Sequence, residues 1–357
     1  MTRTTADRER ALATDFPLAP ASGLRQVALV IQAMRPREWS KNLLLFAGVF
    51  FAGHLFQPAA LLRAVIAAVA FCAASGAIYI FNDLLDIRRD RLHPTKRLRP
   101  LASGALSKPA AISGMISATL VAFALAGMLA RLPLDGAASA LAVRVWPPAL
   151  SLRPAAHAVH ITSDPYAGLG GSAALFALSV GAYIALQLGY SLRFKHIVLV
   201  DVFAIAAGFV LRALAGAVAV AVPISPWLYL CTILLSLFLG LSKRRQEVLT
   251  LEEGAVAHRA ILQEYSLPLL DQLITIVTSA TIIAYSLYTF QSETAGDRRL
   301  MVTIPFAIYG IFRYLYLVQQ KRMGGNPAEV LLRDRHIQMT VAGWVAIALF
   351  VLYVVPR

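Results

Sequence analysis

LLRAVIAAVAFCAASGAIYIFNDLLDIRRD, residues 61–90, is an apolar run that ends abruptly in acids and arginines. Between 61 and 82 the only charge is Arg63. At about 1.5 Å per residue, a helix of that length crosses the roughly 30 Å of hydrocarbon in a bilayer. The acids then fall at a membrane boundary, where ionisable groups usually serve a site.

Working outward, runs of this kind recur along the chain. Candidate spans lie at 41–57, 61–82, 110–130, 172–190, 197–219, 226–242, 268–290, 301–319 and 339–355. With 58% hydrophobic residues and a mean hydropathy of +0.66, the chain reads as an all-α polytopic membrane protein of nine helices. Cys72 and Cys231 both sit in apolar runs, which excludes a disulfide framework and a thiolate metal site. The net charge of +14 punctuates the apolar runs and forms no basic domain, which argues for the lipid bilayer and phosphorylated substrates as partners and against nucleic acid.

Residues 1–30 read as a cytoplasmic N-terminal tail without the apolar core of a signal peptide, and 31–357 as the transmembrane domain. With the N-terminus inside, segments 1–41, 83–109, 191–196, 243–267 and 320–338 face the cytoplasm and hold 24 of the 33 Lys and Arg. The facing loop Val222-Pro-Ile-Ser-Pro226 has no charge, and 291–300 has, of Lys and Arg, only Arg298 and Arg299. The stretch 132–171, rich in Ala, Pro, Gly and Ser, reads as an external loop or insertion. Its His157 and His160 stand three apart, and solvation is the simpler reading than a metal site.

Three clusters carry chemistry. If the helix continues, Asn82, Asp83, Asp86 and Asp90 share an arc of about 100°. Crowded carboxylates repel unless a hard cation binds, and Mg²⁺ held by one or two carboxylates plus substrate phosphates is the usual resolution. Lys96, Arg97 and Arg99 follow directly and suit phosphate oxygens. The second cluster is Lys243-Arg244-Arg245-Gln-Glu247, where Lys243, Arg244 and Glu247 share a face. The third runs from Tyr190-Ser-Leu-Arg-Phe-Lys195 through Asp201 to Arg212, an arginine well inside a span that needs an anion or a dipole. Gly208 and Gly216 serve close helix packing. Near the start, Arg35-Pro-Arg-Glu-Trp39-Ser-Lys41-Asn42 offers Lys41 either to the site or as an interfacial anchor.

The acid-bearing end of the second span, with its basic continuation, resembles the first aspartate-rich motif of the UbiA superfamily of intramembrane transferases. That resemblance implies a nine-helix bundle with a central cavity open to the cytoplasmic side and to lipid, and a diphosphate substrate bound through Mg²⁺. At the end of the sixth span the family usually has a second acidic motif, where this chain has Lys243 to Glu247. In this, and in Arg35 to Asn42, Tyr190 to Lys195, Gly208-Phe-Val-Leu-Arg212, Arg313-Tyr-Leu-Tyr316 and Glu329-Val-Leu-Leu-Arg-Asp334, it resembles the decaprenyl-phosphate phosphoribosyltransferase branch. The resemblance implies Mg²⁺-dependent transfer of 5-phosphoribosyl from 5-phosphoribosyl 1-diphosphate to a polyprenyl phosphate at the cell (inner) membrane, feeding lipid-linked pentose donors for the cell wall. On this reading Asn82, Asp83, Asp86 and Asp90 take metal and diphosphate, with Asp83, Asp86 and Asp90 catalytic. Lys41, Lys96, Arg97, Arg99, Tyr190, Lys195, Arg212, Lys243, Arg244, Arg245 and Glu247 bind substrate. A UbiA-type prenyltransferase is the nearest alternative and wants acids at 243–247. An anion transporter is the alternative of another class, but the polar groups crowd helix ends and not the bilayer midplane.

Overall fold

A computed structural model describes residues 23–93, 95–132, 164–224, 226–252, 260–291, 298–321, 323, 325, 330–331 and 333–355. His157, His160 and most of the stretch 132–171 lie outside the described residues. Those described are helical, without strands.

The α-helices are α1 (Gly23–Ala33), α2 (Phe46–Phe51), α3 (Pro58–Leu85), α4 (Ile87–Leu92), α5 (Lys108–Leu129), α6 (Ser172–Leu192), α7 (Val200–Ala219), α8 (Pro226–Glu252), α9 (Leu267–Gln291), α10 (Ile304–Gln319) and α11 (Arg335–Leu349). Among the described residues eight helical stretches are long and apolar enough to cross a membrane, from Pro58–Leu85 to Arg335–Val354. They coincide with the second to ninth expected spans. The first, 41–57, is different: Pro36–Leu45 is a 3₁₀ helix and α2 has only 6 residues. The polar Ser40-Lys41-Asn42 and a left-handed turn at Gly53, φ 78°, leave too little continuous apolar helix there. The expected count of nine therefore stands at eight among the described residues.

The chain divides into two compact units, one taking the chain up to Leu43 with Val69–Ala126, the other Leu44–Ala68 with Gly127–Arg357. In the smaller unit α1 begins inside the segment expected to be tail. Its Gln26 donates to Ala105 O at 3.0 Å and accepts from Ser107 N at 3.1 Å. Leu29, Val30 and Met34 pack on a core of Ala33, Ile80, Leu101, Leu106 and Ala111.

The larger unit is a bundle in which α6 packs on α7, α7 on α8, α8 on α9 and α10 on α11. Phe238, Leu270, Ile274, Leu317 and Val318 are buried at its centre. Gly216 of α7 lets the chain before α2 approach to contact, since a Cβ there would lie 2.1 Å from Leu45 O. Gly48 mirrors it, since a Cβ on that residue would lie 2.7 Å from Ala217 Cα. Gly216→Ala must move backbone, and overpacking of this sort costs about 3 kcal/mol at the upper end of its usual range. Thermal unfolding in detergent checks this; an unchanged midpoint contradicts the close crossing.

Two polar devices fix helix ends in this unit. Arg63, 3% exposed, donates to Ala219 O at 2.7 Å, Leu129 O at 3.0 Å, Leu132 O at 2.8 Å and Ser172 Oγ at 3.2 Å. It thereby satisfies carbonyls that the C-terminal ends of α5 and α7 leave without helical partners. Asp164 accepts from Ser172 N at 2.6 Å and Tyr166 N at 2.9 Å, tying the start of α6. Burial pushes its pKa upward, but the hydrogen bonds from Ser172 and Tyr166 outweigh it and hold the carboxyl below the usual carboxylate range. A folded-state pKa below the unfolded value stabilises above the unfolded pKa and is lost as pH falls through the folded one. Asp164→Asn should thus unfold earlier than the parent at pH 7, and the gap should shrink as pH is taken below about 4. A gap that widens in acid contradicts the assignment.

Candidate active site

In the smaller unit the acids stand where α3 hands over to α4. Asp86, φ −98° and ψ 9°, interrupts the helix, yet the bonds from Asp86 N to Asn82 O and Asp90 N to Asp86 O carry the helical path through. Asp83 and Asp90, two turns apart, therefore stay on one face as the spacing requires. Both are 3% exposed. Buried carboxylates need cations, and the loop after α4 returns one: Arg99 Nη1 lies 3.2 Å from Asp83 Oδ1 and 2.6 Å from Asp90 Oδ2. Arg35 adds a second bond to Asp83 Oδ1. Its backbone is left-handed, φ 56°, and its guanidinium lies 4.7 Å over the Tyr79 ring.

Asp86 differs from its neighbours, with a side chain 35% exposed and, among the described residues, an ionic contact to Arg89 at 4.0 Å. Asn82 and Lys96 are half-buried, and Arg97 is exposed. Lys41 pairs with Glu38 at 2.6 Å on a half-exposed surface, as an anchor would. Sequence reasoning passed over Arg35 as a site residue. The signal available was Arg35-Pro36, an arginine fixed ahead of a proline at a membrane boundary.

The second cluster lies wholly in the larger unit. Arg244, 1% exposed, meets the fully buried Asp201 at 2.7 Å, bonds Glu247 Oε2 and reaches Tyr190 Oη at 3.4 Å. Lys243 Nζ stands 4.0 Å from Glu247 Oε1. Arg245 turns to Asp271, at 2.6 Å. Tyr265 donates to Asp201 Oδ1 at 2.7 Å and accepts from Leu199 N at 2.7 Å. That bond holds a non-glycine residue at φ 65° just beyond the 3₁₀ turn Phe194–His196 that carries Lys195. Burial first, and then the bond to Asp201, push the Tyr265 hydroxyl well above its ordinary pKa. Tyr265 and Asp271 were not among the expected site residues, and Asp201 was expected in the third cluster without an assigned role. An acid in the first turn of an otherwise apolar span was the readable sign of Asp201.

Arg212 sits inside α7. It donates to Gly208 O at 2.8 Å and to Tyr183 Oη at 2.8 Å, and stacks over the Tyr183 ring at 4.6 Å. A carbonyl dipole and an aromatic face thus meet the need expected of a buried arginine. Arg313 and Asp334 form an anchor at 2.7 Å, where Asp334 also caps α11 through Ile337 N. The hydrogen bond from Arg313, against an opposing effect of burial, holds the Asp334 carboxyl below its usual range.

Among the described residues no three His, Cys, Asp or Glu converge as a self-sufficient metal cage. The donor set at 83–90 is instead two buried carboxylates joined through one guanidinium, and a third half-exposed on the next turn. That set fits Mg²⁺ taken up together with ligand phosphates, which supply the remaining oxygens.

Residues 43–146 match the UbiA prenyltransferase family. A decaprenyl-phosphate phosphoribosyltransferase of Corynebacterium glutamicum is 32% identical over 333 residues, covering 92% of this chain and 87% of that protein. The chain belongs to the UbiA family, alongside the decaprenyl-phosphate phosphoribosyltransferases. One from Mycobacterium tuberculosis is 30% identical, covering 94% of this chain and 97% of that protein. The fold of this UbiA-family transferase is that of a UbiA homolog from Archaeoglobus fulgidus bound to GPP and Mg²⁺, with a TM-score of 0.61, 18% identity, and 91% and 99% of the two chains covered.

Proposed function

We propose that this transferase moves 5-phosphoribosyl from 5-phosphoribosyl 1-diphosphate to a polyprenyl phosphate of decaprenyl type, releasing diphosphate. A phosphate oxygen of the lipid attacks C1 of the ribose as the C1–O bond to diphosphate breaks. The likeness over nearly the whole chain to relatives named for that activity carries the reading. The product is a lipid-linked pentose phosphate, of the class that precedes arabinose-type donors for cell-wall polymers.

The attacking oxygen is already anionic at neutral pH, so no strong general base is required. Catalysis then rests on positioning and on stabilising the leaving charge. Asp83, Asp86 and Asp90, with Asn82, would hold Mg²⁺ together with the diphosphate, and the ion would supply charge neutralisation for the leaving group. Arg35 and Arg99, already at the carboxylates, and the nearby Lys96 and Arg97 take phosphate oxygens. Tyr190, Lys195 and the 243–247 cluster contact the donor, while Arg212 shapes the bundle from within. The N-terminus and the basic segments face the cytoplasm, the protein resides in the cell membrane, and 31–357 form the transmembrane domain with 132–171 as an external insertion.

The test is direct. Purified protein is incubated with Mg²⁺, a polyprenyl phosphate, and either labelled phosphoribosyl diphosphate or labelled prenyl diphosphate. Label should enter lipid only from the ribose donor and cease with a chelator. Label entering only from the prenyl diphosphate overturns the reading in favour of a prenyltransferase.

A further inference from the structure

We propose that Glu247 reads the ribose hydroxyls of the donor, so that the 243–247 cluster selects a sugar diphosphate by its diol and not by its phosphate. This rests on the proposed transfer reaction and concerns residues of the larger unit alone.

The sequence presents Lys243, Arg244 and Arg245 as a phosphate grip, but the structure neutralises it. Asp201, Glu247 and Asp271 face those three cations. Arg244 is enclosed at 1% exposure between Asp201 and Glu247, and Arg245 lies on Asp271. Three cations against three anions leave no surplus positive charge, and a phosphate dianion arriving here meets a carboxylate. Repulsion of like charges disfavours it.

What the cluster does offer is an oriented acceptor. Glu247 Oε2 is fixed by Arg244, which is itself set by Asp201 and Tyr190. Glu247 Oε1 faces Lys243 Nζ at 4.0 Å, beyond hydrogen-bond range, and the side chain is 29% exposed. An ionised carboxylate accepts and never donates, so its partners are O–H and N–H groups. The pentosyl donor carries hydroxyls on C2 and C3, whereas a prenyl diphosphate carries none on its carbon chain. A charge-assisted hydrogen bond of this kind is worth roughly 10- to 100-fold in affinity.

The full-length enzyme is assayed with Mg²⁺ and a polyprenyl phosphate, using 5-phosphoribosyl 1-diphosphate and its 2-deoxy and 3-deoxy analogues as donors. The wild type should prefer the intact donor over at least one analogue by roughly 10- to 100-fold in kcat/KM. Glu247→Gln should raise KM for the intact donor by a similar factor, leave kcat and the KM for the lipid nearly unchanged, and bring the donor ratio towards one. A Glu247→Gln enzyme that keeps the wild-type donor ratio overturns the proposal, whether or not its KM rises, because a structural role shifts all donors alike. If that variant does not reach the membrane, inhibition of the wild type by ribose 5-phosphate and by its 2-deoxy and 3-deoxy forms decides. Weaker inhibition by a deoxy form supports the diol contact, and equal inhibition by all three overturns it. Wild-type enzyme that moves no pentosyl label at all brings down the transfer reaction itself, and this proposal with it.

Discussion

Asp86→Ala should lower phosphoribosyl transfer by at least about 10²- to 10³-fold, the scale on which a group that stabilises developing charge is missed. It should do so in a protein that is otherwise intact. The Asp86 side chain is 35% exposed, its one ionic neighbour among the described residues is Arg89 at 4.0 Å, and it makes no capping bond to α4. Surface changes of that kind usually shift stability by no more than about 0.5 kcal/mol. Asp83 and Asp90 are poorer probes, because both are buried carboxylates tied to Arg99, so that removing either confounds activity with folding. The measurement is label transfer at saturating donor, together with the unfolding midpoint in detergent. Normal turnover by Asp86→Ala sinks the metal assignment at 83–90.

Asp201→Ala has the largest expected effect on stability. It leaves Arg244, at 1% exposure, with Glu247 as its remaining carboxylate, and deprives Tyr265 of its acceptor. Removing one partner of a buried ion pair costs about 3–5 kcal/mol. Asp271→Ala is the milder comparison, since Asp271 is itself 39% exposed and its partner Arg245 is 12% exposed, against 0% and 1% for Asp201 and Arg244. Thermal unfolding in detergent should rank Asp201→Ala far below Asp271→Ala. Replacing Asp201 and Arg244 together by apolar residues should recover part of the loss, because no uncompensated charge is then buried. Equal midpoints for the two single variants contradict the buried network.

The spans were legible because hydrocarbon thickness imposes one length on every crossing helix, and 61–82 or 268–290 state it in plain apolar runs. The first span misled for a local reason: Phe46–Phe51 is apolar, but Pro36 on one side and Gly53 on the other deny it a helix long enough to cross. At the site, period alone placed Asp83 and Asp90 on one face. Period does not tell a cation that holds a ligand from one already engaged. Arg244 and Arg245 look identical to Arg97 in sequence, and only Asp201 and Asp271, distant along the chain, separate them. Gly216 was readable as a packing glycine, whereas Arg63 gave no hint, because three of its four acceptors are backbone carbonyls that any residue supplies.

Arg63 also sets an order of assembly. It lies near the start of α3, and its acceptors lie 66 to 156 residues further on, at Leu129, Leu132, Ser172 and Ala219. When α3 leaves the ribosome none of them has been made. A guanidinium in hydrocarbon without acceptors is costly, and Arg63 gains its partners in chain order, Leu129 and Leu132 first, then Ser172, and Ala219 of α7 last. The last of these bonds, to Ala219 at 2.7 Å, forms only when the C-terminal end of α7 is in place.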